Sequence, residues 1–196
     1  MVRRHVEKLI IAGACFALGW AVKPKQVEII TETKTVEVPA YEESTLPNPV
    51  VINYLNVPIT GNMQKYIAEI CADNDVPPSL VYAMIDEESG FDADCVSDTN
   101  DYGLMQINSI NRDQLADEYH AADLLNPYQN VYCGVKIISS YIEKYGDYNK
   151  ALMAYNMGEY GAEKAWEDGV KVSKYSEQIL ALMKNYEEEL NVNEDQ

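Results

Sequence analysis

Pro78-Ser79-Leu80-Val81-Tyr82-Ala83-Met84-Ile85-Asp86-Glu87-Glu88-Ser89-Gly90-Phe91 is the stretch on which the reading of this chain turns. Leu80, Val81, Met84 and Ile85 recur at three- and four-residue spacing, which predicts a helix with one buried face. Pro78 or Ser79 suits its first turn, and Gly90 is placed to end it. Glu88 then falls in the last turn of a core helix. There the negative end of the helix dipole disfavours a carboxylate and raises its pKa. A carboxyl kept protonated near neutral pH can act as a general acid, although three adjacent acids also make an ordinary solvated helix end.

The same helical punctuation continues on both sides. Upstream, Met63, Tyr66, Ile67, Ile70 and Cys71 mark a helix that Asp75-Val76-Pro77-Pro78 interrupts. Downstream, Ser109 or Asn111 opens a short helix through Tyr119. Asn126-Pro127 starts a longer one with Val131, Val135, Ile138 and Ile142 inward and Gly146 as its stop. Asp147 caps the next, with Leu152 and Tyr155 inward and Gly158 ending it, and two more helices follow over about residues 160–168 and 173–190. The expectation is an all-α domain over residues 62–190, large enough to bury about two thirds of its unfolded surface.

What flanks this domain has another character. Residues 1–24 combine Arg3, Arg4 and Lys8 with an uncharged apolar run over residues 9–22, the pattern of a signal peptide or of a signal anchor holding the chain to a membrane. Residues 25–61, with Pro39, Pro47, Pro49 and Pro58, read as an extended proline-containing linker, and residues 191–196 as a disordered tail. The net charge is −17. Six basic and six acidic side chains cancel within residues 1–54, so the whole excess sits in the second part. Such a surface repels nucleic acid and anionic headgroups and suits a neutral substrate.

Cys71, Cys95 and Cys133 lie in the acidic part with no C-x-x-C spacing, and an exported chain could oxidise two of them. Asp92, Asp94, Asp98, Asn100 and Asp101 lack the central glycine and the twelfth-place glutamate of a calcium-binding EF-hand loop. Only His5 and His120 are available as histidines. Neither a metal nor an organic cofactor is expected.

Three segments then combine into a pattern. Glu88-Ser89-Gly90-Phe91, Gly103-Leu104-Met105-Gln106-Ile107-Asn108 and Ala154-Tyr155-Asn156-Met157-Gly158 resemble, in order and spacing, the motifs of the soluble lytic transglycosylase (SLT) family of peptidoglycan-cleaving enzymes. Asn126-Pro127-Tyr128-Gln129-Asn130-Val131-Tyr132-Cys133-Gly134 resembles that family's N-P-x-x-N-[IV]-x-x-G helix start. The resemblance covers residues 63–190 and implies a lysozyme-like helical fold, related to goose-type lysozyme, with a glycan groove. By it Glu88 is the catalytic acid/base, and Ser89, Gln106, Tyr155 and Asn156 contact substrate. The Tyr155 hydroxyl would reach toward the catalytic carboxyl. Apart from the resemblance, fifteen tyrosines against two phenylalanines suit a cleft that stacks sugars and bonds their hydroxyls, which makes Tyr102 a further candidate for a groove contact.

Asp101-Tyr102-Gly103-Leu104-Met105-Gln106-Ile107-Asn108-Ser109 also resembles the lysozyme segment that carries a second carboxylate. Two outcomes therefore stand open. With Glu88 alone, the bond between N-acetylmuramic acid and N-acetylglucosamine (MurNAc–GlcNAc) breaks and a 1,6-anhydro ring closes; with Asp101 assisting, water ends the reaction. A non-catalytic wall-binding module of a secretion or phage apparatus is the rival from another class. The partner implied is the peptidoglycan glycan strand, met outside the cytoplasm by a monomer that is secreted or membrane-anchored.

Overall fold

The structure, a computed structural model, describes residues 54–192. The expectations for residues 1–24, for the linker up to residue 53 and for residues 193–196 lie outside the described residues. Among the described residues the elements run α1 (Gly61–Asp73), α2 (Pro78–Ser89), β1 (Asp101–Tyr102), β2 (Ile107–Asn108), a 3-10 turn (Ser109–Asn111), α3 (Arg112–Tyr119), α4 (Pro127–Tyr145), α5 (Tyr148–Glu167) and α6 (Lys174–Val192). The all-α reading holds, with the two-residue β1–β2 ladder as a small addition; it pairs Asp101 with Asn108 and Tyr102 with Ile107.

α2 is the axis of the domain. Its N1 proline needs no helical hydrogen bond, and every residue from Ser79 to Ile85 is buried, Tyr82 and Ala83 included. The single buried face expected from sequence is thus a full circumference, and both α1 and α6 pack on this helix. Gly90 closes the helix in the left-handed conformation at φ 58°, its N–H donating to Asp86 O at 2.9 Å. Glu88 is left in the last turn, where apolar packing ends.

Two junctions depart from the sequence reading. The end of the expected linker belongs to the domain: Leu55 is buried, and the Gln64 amide clasps its backbone N–H and C=O at 2.8 and 3.0 Å. α6 runs on to Val192, two residues into the expected tail. The stop expected at Gly158 is met: its φ of 73° and ψ of 161°, a backbone region essentially confined to glycine, break the helix, and α5 consists of two helical segments joined there at a kink. Cys71, Cys95 and Cys133 are all free thiols, Cys71 and Cys133 buried in the core, so no pair among them is joined.

The N-P-x-x-N-x-x-x-G stretch acquires a reason for each residue. Asn126 caps α4 by accepting from Tyr128 N and Gln129 N, and Pro127 occupies its first turn. Asn130, wholly buried, reaches across to the hairpin, accepting from Met105 N at 2.8 Å and donating to Tyr102 O and Leu124 O at 2.6 and 2.8 Å. Gly134 leaves room for Met105, whose sulfur would lie 2.3 Å from any Cβ there. α4 is thereby tied to the loop that carries the second motif.

Candidate active site

The end of α2, the β1–β2 hairpin, the turn after it, α4 and the middle of α5 enclose a cavity of about 540 Å³. Glu88, Asp101, Gln106, Asn108, Tyr155 and Asn156 line it together with Ile137 and Tyr141. Four helical turns and one hairpin, far apart in sequence, thus converge on one carboxyl group.

Burial is the first cause that pushes the Glu88 pKa up, from its ordinary 4.5 to about 7. The nearby charges of Asp101 and Glu87 add to the rise, while a hydrogen bond from the Tyr175 hydroxyl opposes it. The expectation of a raised pKa stands, but loss of water rather than the helix end heads its causes. Tyr175, at the start of α6, was not singled out by the sequence; its only signal there was an inward position on the last amphipathic helix.

Tyr155 does not make the bond expected of it. Its hydroxyl donates to Met105 O at 2.8 Å, so the phenol on the Glu88 carboxylate is that of Tyr175. The exchange follows from the tie of Met105 to Asn130, which presents the Met105 carbonyl to α5. Tyr155 still lines the cavity. Ser89 Oγ lies 3.1 Å from Ile85 O and 2.9 Å from Leu104 O, a strut between α2 and the hairpin, with no place in the cavity lining.

Gln106 adopts φ 44° and donates both amide hydrogens, to Gly103 O at 2.9 Å and Cys95 O at 3.2 Å. Its carbonyl oxygen is therefore the end left to accept from a ligand. The Tyr102 side chain lies outside the cavity lining, its ring 5.4 Å from the Arg112 guanidinium, whereas exposed Asn156 lies on the rim.

Asp101 has the opposite electrostatic setting to Glu88. Burial would raise its pKa, but hydrogen bonds from Thr99, Ser97 and Asn108 outweigh it and hold the carboxyl below its ordinary value. Ser97 and Asn108 donate at 2.7 Å each. The cavity thus holds one carboxyl tuned to keep its proton and one tuned to lose it.

The family model of the transglycosylase SLT domain matches residues 65–179, well over half of the chain. The chain belongs to the transglycosylase SLT domain family. This SLT domain is 32% identical over 90 residues to Protein IpgF of Shigella flexneri, covering 43% of the chain and 59% of that protein. It is 28% identical over 124 residues to the transglycosylase of Enterobacteria phage PRD1, covering 62% of the chain and 44% of that protein. In structure it resembles an inactive mutant of the lytic transglycosylase Slt from Pseudomonas aeruginosa, with a TM-score of 0.58 and 18% identity. That likeness covers 68% of this chain and 25% of the other. The lysozyme-like SLT fold is therefore shared, while the chain spans only part of the length of each relative.

Proposed function

We propose that the chain is a peptidoglycan lytic transglycosylase that cleaves the MurNAc–GlcNAc β-1,4 bond with Glu88 as the acid and then the base. One observation carries the reading. Glu88, in the cavity of an SLT domain, has a pKa near 7 and so keeps its proton where a glycosidic oxygen needs one. In the first step that proton passes to the leaving oxygen of GlcNAc as the substrate's own acetamido oxygen closes on the anomeric carbon. In the second, the Glu88 carboxylate takes the proton of the C6 hydroxyl, whose oxygen displaces the acetamido oxygen. The product is a 1,6-anhydroMurNAc end, and no water is consumed. Such chemistry belongs outside the cytoplasm, at the cell wall.

In this scheme the Gln106 carbonyl and Asn156 bind sugar hydroxyl or amide groups, and Tyr155 forms a wall against the ring. Tyr175 holds the carboxyl in place. Mass spectrometry of muropeptides released from purified walls tests the scheme: the lyase product lacks one water at its muramyl end, and a product carrying that water would sink it.

A second reading rests on Asp101, which lines the same cavity and is held ionised. A carboxylate so placed stabilises an oxocarbenium-like centre and favours hydrolysis. Asp101→Asn separates the two: a lyase keeps its anhydro products, whereas a hydrolase loses the reducing-end product. A glycan-binding module without catalysis would leave walls intact with the wild-type chain, and the Glu88→Gln variant would then change nothing.

A further inference from the structure

Beyond the bond between Tyr175 and Glu88, α6 offers α2 a second phenol. Tyr186 Oη donates to Asp86 Oδ2 at 2.9 Å. Tyr175, Ile179, Met183 and Tyr186 follow one another at spacings of four, four and three, a single face of α6. Ile179 is fully buried, and Met183 and Tyr186 nearly so. α6 packs on α2 more extensively than any other pair of elements among the described residues. The Tyr186 ring also lies 5.9 Å from that of Tyr82 on α2. Tyr186 stands beyond residues 65–179, the stretch matched by the family model.

We propose that the Tyr186–Asp86 hydrogen bond is a positioning clamp that seats α6 on α2 and so keeps the Tyr175 phenol on Glu88. Its value to catalysis rests on the reading of Glu88 as the acid. The mechanics are those of a rod held at two points. The two points are the Tyr175–Glu88 and Tyr186–Asp86 bonds, carried by residues that lie about 16 Å apart along the helix. A phenol–carboxylate bond weakens steeply once the atoms move about half an ångström beyond contact distance. Small rotations of the rod therefore decide whether Tyr175 reaches its acceptor, and the distal phenol–carboxylate bond restrains them.

The groups that act on Glu88 are Tyr175 from α6, Asp101 from β1 and Glu87 on α2, with Tyr155 of α5 beside it. Of these only Tyr175 is carried by the helix that Tyr186 holds. Loosening the clamp thus removes a hydrogen bond to the ionised carboxyl and moves the Glu88 midpoint upward.

The test is a carbon-13 titration of the Glu88 carboxyl in labelled protein, assigned by its absence from Glu88→Gln, which needs no catalytic activity. Tyr175→Phe is expected to raise the midpoint by about one unit and Tyr186→Phe by about half a unit. The double variant is expected to match Tyr175→Phe alone. If Tyr186→Phe lowers the melting temperature but leaves the midpoint where it is, or if the two shifts add, the clamp is refuted. A wild-type midpoint near 4.5 would instead sink Glu88 as the acid, while movement of that midpoint in Tyr186→Phe would still judge the clamp. Should Tyr186→Phe fold poorly, Asp86→Asn, which keeps an acceptor, and Asp86→Ala, which removes it, give the same contrast.

Discussion

At the scale of the residue, Glu88 and Asp101 show how one cavity sets two carboxyls apart. Glu88 is dried by packing and bonded by a single phenol, whereas Asp101 has three donors and a partly open face. Glu88→Gln is expected to lower glycan cleavage by at least 10²-fold, the usual yield of a positioned general acid, measured as clearance of wall turbidity. Tyr175→Phe removes a bond to the charged form. The Glu88 pKa then rises, and because the acid must be protonated, the alkaline limb of the pH–rate profile moves to higher pH. A profile unchanged in Tyr175→Phe would remove Tyr175 from the mechanism. The three-acid run Asp86-Glu87-Glu88 did not itself distinguish these roles; only the residues facing each carboxyl do.

At the scale of the element, the site depends on how the hairpin is fastened to α4. Asn130 makes three hydrogen bonds to backbone while wholly buried. Asn130→Ala strands those groups without water and is expected to cost about 3 kcal/mol, read from urea unfolding midpoints. Gly103 is equally constrained. Its φ is 72°, and an added Cβ would stand 2.6 Å from Asn130 Nδ2 and 2.7 Å from Leu124 O. Helix starts and stops were legible from sequence, since caps such as Asn126, Asp147 and Gly146 act locally. The clasp of Leu55 by Gln64 was not, because it joins residues nine apart through a side chain whose partner is backbone.

At the scale of the whole molecule, Glu88 ties stability to pH. In the unfolded chain it titrates near its ordinary 4.5 and in the fold near 7, so between these values the folded state binds more protons. Stability therefore falls as pH rises from about 4.5 to 7. The loss is at most about 3 kcal/mol and is reduced by solvent at the cavity mouth. Glu88→Gln escapes it: above pH 7 the variant is expected to melt higher than the wild type, with the difference vanishing near pH 4, as thermal scans at the two pH values would show. The acid excess acts at longer range. On walls rich in anionic polymers, raising salt from about 0.01 to 0.1 M shortens the Debye length from about 30 to 10 Å. Initial rates there should rise, while rates on uncharged glycan strands should not.

The sequence by itself determined the helices, their order and the carboxyl at the end of α2, because periodicity, caps and stops are local signals that need no partner. It also placed Glu88, Gln106, Asp101 and Tyr155 among the candidate residues through motifs in register. Tertiary structure alone decided which groups face Glu88. Tyr175 stands 87 residues away and meets it only because α6 folds back along α2, while the Asn130 tie draws the Met105 carbonyl to Tyr155. A proton-holding carboxyl is made by the water it loses and the donors it meets, and both depend on packing between distant segments.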